Sequence, residues 1–269
     1  GYYHAIEHGT RYLCGAGKKV TVSFYARSSI ANKKIGVWLQ QGYGTGGSPS
    51  ASEIITGRTW TLTSDWTRYE YTFTTNTLSG KTFGTNNDDS LQIAIYYMWG
   101  TTYDYLVGET TAETYVGSGT IDLAQVQLNA GSVALPFYPK TFHQEYMDCQ
   151  RYYQTSFPYG VTVPTNTQQG YEIFMSHTST FGTIGNFGSI GYVRYRVPIR
   201  TAVIPVIYPF TTSTNTSRVS NSAGTDQNAG SGTVAMQSRW GFRVYNNSGG
   251  NITDVDSLFI FHWSADAEM

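Results

Sequence analysis

The feature that most constrains this chain is an alternation of apolar and polar residues with a period of two. In "KKVTVSFYARS", every second residue is apolar, at Val20, Val22, Phe24 and Ala26. The segments "KKIGVWLQQ", "TRYEYTFTT" and "LQIAIYYM" repeat the alternation. This period places one set of side chains on a core and the other set on the outer face of a β-strand. Because clusters of Gly, Asn, Asp and Ser separate these short segments, the pattern predicts an antiparallel sandwich.

One segment changes phase within its length. In "TIDLAQVQLNAG", Ile121 and Leu123 point to one side of an ideal strand, and Val126 and Leu128 point to the other. An extra residue in one strand of a pair restores the phase, so we expect a β-bulge near Ala124.

The second half of the chain repeats the strand pattern. The segments "GSIGYVRYRVP", "TAVIPVIYPF", "SRWGFRVYNN" and "DSLFIFHWSA" each read as a strand. Pro205 and Pro209 cannot donate to a β-ladder, so their strand is predicted to lie at a sheet edge or to bend. His262 lies in an apolar strand, which favours a hydrogen-bonded core or interface histidine. The polar residues 211–233 are predicted to form an exposed hairpin or a long mobile loop.

A single helix is predicted between the two halves. Thr141 and Gln144 match a capping box, and Pro139 blocks extension towards the N-terminus, which predicts a helix over Thr141–Thr155. One face of it carries Phe142, Tyr146, Cys149 and Tyr153. An amphipathic helix must bury such a face, either on an adjacent sandwich or on a copy of itself in a neighbouring subunit.

The pattern therefore predicts an all-β protein of two antiparallel β-sandwich, jelly-roll-like domains joined by one short α-helix. Residues 1–135 form the first domain, residues 136–156 a linker with the helix, and residues 157–269 a C-terminal β-sandwich. The 269 residues are 40% hydrophobic and 13% charged, which is enough apolar material for such cores. The net charge of −1 and the lack of a basic cluster argue against nucleic acid as a partner. No apolar run approaches the ~18–20 residues of a membrane span, so membrane insertion is not expected.

Catalytic and metal motifs are weak. "GYGTGG" spaces Gly42, Gly44 and Gly47 like a dinucleotide fingerprint, but no helical pattern follows it, so a hairpin loop is expected. A zinc site at His4 and His8 would need a third ligand, which is not nearby in the sequence. The two cysteines are expected to be free thiols, and a disulfide between them stays open; they are Cys14 and Cys149.

Carboxylates could support glycoside hydrolysis, which needs a pair at a defined separation. The candidates are Glu53, Asp88, Asp89, Asp104, Glu109 and Glu113. Most occur in turn sequence, where carboxylates are usually solvated or cap the backbone, and where a structural calcium ion is the alternative. We therefore expect neither an enzyme nor a cofactor.

Aromatic residues are the better candidates for ligand binding. The segment "IYYMWGTTYDYLVG" carries an aromatic cluster that begins at Tyr96, and its candidate ligand-binding residues are Tyr97, Trp99, Tyr103, Asp104 and Tyr105. Such rings offer apolar faces with polar tips, which suit sugars and protein partners alike. Trp240 with Arg239 and Arg243 forms a second candidate, in which arginine could pair with an acidic sugar. The alternative for these rings is a place in the core or in a subunit interface.

The most specific segment is "IDLAQVQLNAGSVALPFYPKTFHQEYMDCQRYYQ", which resembles a junction in bacteriophage tail-fibre and related virion proteins. There, a strand closes a carbohydrate-binding-module-like jelly roll and a short "CQRYY" helix leads to a C-terminal β domain. The matching residues are Gln125, Gln127, Leu128, Gly131, Ala134, Phe137, Cys149, Gln150, Arg151, Tyr152 and Tyr153. Flanking segments such as "AIEHGTRYLCGAGKKVTVSFYARSS" and "FHWSADAEM" look similar to the family as well. Asn129 stands where the family carries Glu, and "YPK" stands where it carries "RPY".

The resemblance implies a function as well as a fold. It implies a tail fibre or spike in the extracellular phage particle that recognises a host-surface glycan, assembles as a homotrimer and contacts other tail proteins. By this resemblance, the inter-domain helix of this chain includes Phe142, Tyr146, Cys149, Arg151 and Tyr153. Family jelly rolls carry strands ahead of "IEHGT", so upstream residues or a neighbouring chain are expected to complete the first sandwich. The alternatives are an architectural fibre, adaptor or head-decoration component without a ligand, and a polysaccharide depolymerase.

Overall fold

The structure is a computed structural model that describes residues 1–115, 117–175, 189–210, 219, 233–245 and 258–268. The chain divides into two compact units, Gly1–Pro139 and Lys140–Glu268. In the described residues, antiparallel strands dominate and α-helix is confined to two short segments. The predicted all-β, sandwich-like fold is therefore confirmed.

The first unit contains two antiparallel sheets. Its elements are β1 (Tyr2–Glu7), α1 (Gly9–Leu13), β2 (Lys19–Ser28), β3 (Lys34–Gly42), β4 (Glu53–Thr61), β5 (Thr67–Thr74), β6 (Ser90–Tyr96), a 3₁₀ helix (Asp104–Val107) and β7 (Ile121–Ala130). The strand orders are β1-β6-β3-β4 and β5-β2-β7. The core between them is built from the predicted alternating residues, fully buried on β2 at Val20, Val22, Phe24 and Ala26. The alternation therefore identified the core face.

The predicted bulge is present in the β2–β7 pair. The register shifts between Ser23 and Tyr25 of β2, and Gln125 on β7 adopts a φ of 51°. The extra residue brings the two phases of β7 onto one face, so that all four of its apolar residues pack against the same core: Ile121, Leu123, Val126 and Leu128. Similarly, the "GYGTGG" segment is a hairpin loop between β3 and β4, with no helix after it.

After β7, the chain turns back over the polar face of the β5-β2-β7 sheet. The side-chain amide of Gln127 donates through Nε2 to the backbone carbonyls of Leu135 and Pro136. Its Oε1 accepts from the Tyr138 backbone amide at 3.1 Å. Asn129 donates to the Val133 carbonyl at 2.9 Å and accepts from the Leu135 amide at 3.3 Å. A carboxylate at position 129 could accept but not donate, so asparagine suits both bonds.

In the residues of the second unit that the structure describes, the strands also form two antiparallel sheets. Its elements are α2 (Phe142–Gln150), β8 (Tyr153–Thr155), β9 (Glu172–Met175), β10 (Ser189–Arg194), β11 (Val206–Pro209), β12 (Thr233–Ser238), β13 (Gly241–Tyr245) and β14 (Leu258–Asp266). One sheet has the order β11-β14-β8, with β9 also paired to β14, and the other has the order β10-β13-β12. Within the described residues β11 pairs only with β14, so this strand, which ends at Pro209, lies at a sheet edge as predicted. The core combines residues of both sheets: Val193, Phe242, Val244, Phe259, Phe261 and Trp263.

The expected strand "SRWGFRVYNN" is corrected by the structure. Arg239 and Trp240 form a turn between β12 and β13, with Ser238 paired to Gly241. The Ser238 hydroxyl stabilises the turn, since it donates to the Gly241 carbonyl at 3.1 Å and accepts from the Trp240 amide at 3.2 Å. The predicted polar segment 211–233 lies outside the described residues, apart from Val219 and Thr233.

The helix is shorter than predicted. The capping box is present, with the Gln144 amide donating to Thr141 Oγ1 at 3.3 Å and the Thr141 amide donating to Gln144 Oε1 at 2.9 Å. However, α2 ends at Gln150 because β8 follows it and pairs with β14. Tyr153 is therefore a strand residue and not part of the helical face. Of the predicted linker 136–156, both α2 and β8 fall in the second unit.

The remaining predicted helix face is largely exposed. Phe142 is 67% exposed and stacks on Tyr146, with ring centroids 6.0 Å apart. Tyr159, 79% exposed, meets both rings edge-on. Cys149 is also exposed and is a free thiol, as is the buried Cys14, whose pKa burial raises to about 11. No helix in the described part of the chain is long and apolar enough to cross a membrane.

His262 is a buried, hydrogen-bonded core residue, as its strand position predicted. Its Nδ1 lies 3.1 Å from Ser156 Oγ, its Nε2 lies 3.0 Å from the Thr167 carbonyl, and its ring stacks on Phe157. Burial lowers the pKa of His262, although the Thr167 contact opposes this.

We expect His262 to make stability depend on pH. Because its pKa is lowered in the folded state, its contribution is fully present above the ordinary value of about 6.5 and is lost as the pH falls through the folded-state pKa. Urea unfolding at two pH values, about 7.5 and about 5, should show a falling free energy of unfolding, and His262→Gln should reduce this fall. The carboxyls with lowered pKa titrate below this range. If the free energy of unfolding fell by the same amount in the wild type and in His262→Gln, His262 would not be the source of the pH dependence.

Candidate functional site

The candidate site depends on β3 being buried on both faces. Ile35, Val37 and Leu39 face the core between the sheets, whereas Trp38 on the opposite face is 5% exposed. Trp38 is paired with Ala94 of β6, and Ala94 is paired with Tyr3 of β1. The small Ala94 thus sits between two aromatic side chains, and the Tyr3 and Trp38 ring centroids are 6.4 Å apart in an edge-on arrangement.

The segment between β6 and β7 covers this outer face. Leu106 and Val107 of the 3₁₀ helix are buried together with Trp38. A Cβ on Gly36 would lie 2.6 Å from Val107 Cγ1, so glycine is required for the helix to approach the sheet this closely. Trp99 is 4% exposed and its Nε1 donates to the Thr111 carbonyl at 3.0 Å. The covering segment is therefore packed as a second, smaller core.

Two lysines anchor the same segment. Lys33, 2% exposed, contacts Glu113 Oε1 at 3.0 Å, and Lys34 contacts Glu109 Oε1 at 3.1 Å. Glu109 also accepts a hydrogen bond from the Thr59 hydroxyl. The pKa of the Glu109 carboxyl is lowered, mainly by the hydrogen bond from Thr59 and then by that from Lys34. Both carboxylates, which the sequence offered as catalytic candidates, therefore serve to hold the covering segment in place.

An open depression of about 550 Å³ lies where this segment meets β1 and β6. Four of the nine residues that line it are aromatic, and the nine are Gly1, Tyr3, Tyr96, Met98, Trp99, Gly100, Tyr103, Glu113 and Thr114. Three of these side chains are about half exposed, namely Tyr3, Met98 and Tyr103. The depression thus presents apolar rings with hydroxyl groups at their tips.

Two hydroxyl groups of the depression are joined by a hydrogen bond. Tyr3 donates to the Tyr96 hydroxyl at 2.8 Å. The pKa of Tyr96 is raised, first by burial and then by this hydrogen bond. The Tyr96 hydroxyl therefore keeps its proton at neutral pH and can donate to a ligand.

The predicted aromatic residues have different environments. Trp99 and Tyr103 line the depression, Trp99 as a buried wall and Tyr103 as a half-exposed ring. Asp104 begins the 3₁₀ helix, and Tyr105 is 56% exposed but does not line the depression. Tyr97 packs against the core between the sheets, on the opposite face of β6. Tyr3 and Met98 were not among the predicted site residues, and Tyr3 reaches the site only because β1 pairs with β6.

The other candidate carboxylates have structural partners. Glu53 accepts from Tyr43 and pairs with Lys81. Asp88 accepts from the Thr45 amide at 2.7 Å. Within the described residues, no group of three or more His, Cys, Asp or Glu side chains could hold a metal ion.

Asp89 joins the start of β6 to α1. It is 1% exposed and lies 2.9 Å from both Arg11 Nη2 and His8 Nδ1. Burial would raise the pKa of Asp89, but the hydrogen bonds from Arg11 and His8 outweigh it and the pKa is lowered. His8 is thus engaged with Asp89.

The second aromatic candidate lies in the second unit. Arg239 and Trp240 occupy the turn between β12 and β13. Arg239 Nε donates to the Ile199 carbonyl at 3.0 Å, and Trp240 is 66% exposed. Arg239 therefore braces the turn, and Trp240 projects from it.

Comparisons with known proteins place the chain in no family. No family model matches it, and no curated protein matches it. A solved structure of the N-terminal CBM22-1-CBM22-2 tandem domain from Paenibacillus barcinonensis Xyn10C aligns with 99% of this chain and 83% of its own, at 10% identity and a TM-score of 0.26. A similarity this low does not indicate a shared function.

We expect Trp99 and Tyr103 to differ in what they contribute to stability. Trp99→Ala removes a buried ring and its hydrogen bond and should lower the free energy of unfolding by about 3–5 kcal/mol. Tyr103→Ala removes a half-exposed ring and should change it by only about 0.5 kcal/mol. Equilibrium urea unfolding measures both values. A Trp99→Ala protein as stable as the wild type would contradict its role as a wall of the site.

Proposed function

We propose that the first unit binds a glycan in the depression between β1, β6 and the covering segment. The observation that carries this proposal is the aromatic lining with fixed hydroxyl groups. A sugar ring has an apolar face of C–H groups and a rim of hydroxyls, and tyrosine side chains match both parts. Ligand sites commonly combine apolar walls with a few placed polar groups in this way.

The charges of the depression favour a neutral sugar. No lysine or arginine lines it, and its one carboxylate, Glu113, is already paired with Lys33. An acidic sugar would meet no lysine or arginine side chain among the lining residues, and it would be repelled by Glu113. Stacking on Tyr103 and hydrogen bonds to Tyr3 and Tyr96 would therefore supply the binding energy.

Tyr103→Ala should weaken binding of a neutral oligosaccharide about tenfold, which corresponds to about 1.4 kcal/mol. A glycan array identifies the ligand, and isothermal titration calorimetry compares the variants. Tyr12→Ala is the matched control, because Tyr12 is 70% exposed in the same unit and does not line the depression. The proposal would be refuted if no neutral glycan bound the wild type more tightly than it bound Tyr103→Ala.

We further propose that the chain belongs to a phage tail fibre or spike, located in the extracellular virion, which contacts other tail proteins and uses this site on a host-surface glycan. The support is the resemblance around the β7–α2 junction, whose Gln127 fixes the returning segment. The alternative is an architectural fibre, adaptor or head-decoration component without a ligand. A depolymerase has less support, because the candidate carboxylates other than Asp104, namely Glu53, Asp88, Asp89, Glu109 and Glu113, are engaged in ion pairs or loop hydrogen bonds. We propose no enzymatic activity.

A homotrimer is part of this proposal, and the aromatic face of α2 is the surface that favours it. Exposed aromatic rings such as Phe142 and Tyr159 are enriched in subunit interfaces. Light scattering with in-line chromatography should give three times the chain mass of 29.8 kDa. The trimer should persist after heating to ~70 °C, above the usual unfolding range of mesophilic domains. Phe142→Ser with Tyr159→Ser should yield smaller species, and a wild-type monomer would refute the trimer.

A further inference from the structure

The hydrogen bond inside the aromatic depression leaves one hydroxyl proton without an acceptor. The Tyr3 hydroxyl donates to the Tyr96 hydroxyl at 2.8 Å. A tyrosine hydroxyl carries a single proton, so Tyr96 can still donate although its oxygen is already engaged. No described residue lies within hydrogen-bond distance to accept this proton, and Tyr96 lines the open depression of about 550 Å³. The proton is therefore available to a ligand.

Trp38 reinforces the donor role of Tyr96. The two rings meet edge-on, with centroids 5.8 Å apart, and the buried Trp38 N–H has no hydrogen-bond partner at ordinary distance among the described residues. Burial and the hydrogen bond with Tyr3 raise the pKa of Tyr96, and the Trp38 N–H opposes this rise. Trp38 and Tyr3 therefore act on the same oxygen, and a donor on a ligand would compete with both for it.

The carboxylate and two carbonyls of the lining are already used within the protein. Glu113 Oε1 accepts from Lys33 Nζ at 3.0 Å and from the Lys34 backbone amide at 3.2 Å. The backbone carbonyls of Trp99 and Glu113 each accept from the other residue's amide, at 2.9 and 3.1 Å. A ligand group that donates would find these acceptors occupied, whereas a group that accepts would meet the Tyr96 proton.

The ligand acceptor that suits Tyr96 is uncharged. Glu113 would repel a carboxylate or a sulfate, and no lysine or arginine is among the lining residues to offset this. Of the neutral polar groups on sugars, a hydroxyl both donates and accepts, whereas the carbonyl oxygen of an acetamido group only accepts. The carbonyl is therefore the closer match to a donor whose own oxygen is engaged.

The methyl of an acetamido group also has a complement in the depression. Met98 and Tyr103 both line it and are 55% and 54% exposed. The unbranched thioether of methionine adapts to small apolar groups, and the tyrosine ring offers an apolar face. A methyl group packed against them would be removed from water, which is favourable, and a hydroxyl in its place would not gain this energy.

We propose that the depression selects a sugar that carries an N-acetyl group, whose carbonyl oxygen accepts from Tyr96 and whose methyl packs on Met98 and Tyr103. The inference rests on the proposed glycan site of the first unit and names the class of sugar that this site takes. Tyr96 is then the residue that determines specificity, while stacking on Tyr103 contributes to the binding of any neutral sugar.

Two matched pairs of probes test the inference on the full chain. They are tetra-N-acetylchitotetraose with cellotetraose, and methyl N-acetylgalactosaminide with methyl galactoside, which differ only by acetamido groups in place of hydroxyls. Isothermal titration calorimetry should show about tenfold tighter binding of the acetamido sugar in at least one pair. Tyr96→Phe keeps the ring and removes the donor, so it should weaken binding of that acetamido sugar about tenfold and that of its hydroxyl partner less than about twofold.

Tyr105→Phe is the matched control, because Tyr105 is 56% exposed in the same covering segment and does not line the depression. It should leave both affinities unchanged. The inference would be overturned by equal affinities within both pairs, by no binding of either acetamido sugar, or by a preference that survives Tyr96→Phe. Tyr103→Ala separates this failure from that of the proposed function: if it still weakens binding of a sugar without an acetamido group, the depression remains a glycan site.

Discussion

The first unit depends on the burial of Trp38. A strand of a two-sheet sandwich usually presents one face to the core and the other to water, but β3 carries large apolar residues on both faces. The outer face must therefore be covered, and the segment after β6 provides the cover through Trp99 and Val107. Gly36 allows the segment to approach the sheet closely, and Lys33 and Lys34 form ion pairs with Glu113 and Glu109 in the middle of the segment. The aromatic depression is the margin of this cover, where the packed segment stops short of β1.

This origin explains why the site contains both rigid and accessible groups. Trp99 belongs to the small core under the cover, so its position is set by packing on all sides. Tyr103 lies just outside that core and keeps half of its surface in water. A binding site formed at such a margin needs little reorganisation to receive a ligand, because the cost of ordering its walls has already been met during folding.

The sequence predicted those parts of the fold that depend on local rules. Alternation identified the core residues of β2, the phase change predicted the bulge near Ala124, and the Thr141–Gln144 capping box predicted the start of α2. Features that depend on distant pairing were missed. The helix ends early because β8 pairs with β14, more than a hundred residues further on. Tyr3 joins the candidate site only through the β1–β6 pair, which no local pattern reveals. The identity of the aromatic cluster was visible in the sequence, but the division into buried Trp99 and accessible Tyr103 was not.

Charged residues are scarce in this chain, and the candidate site of the first unit reflects how they are used. In the first unit the carboxylates that could have served chemistry are used instead to hold loops, Glu113 by Lys33 and Asp89 by Arg11. Recognition there is left to aromatic rings and hydroxyl groups, which suit uncharged sugars.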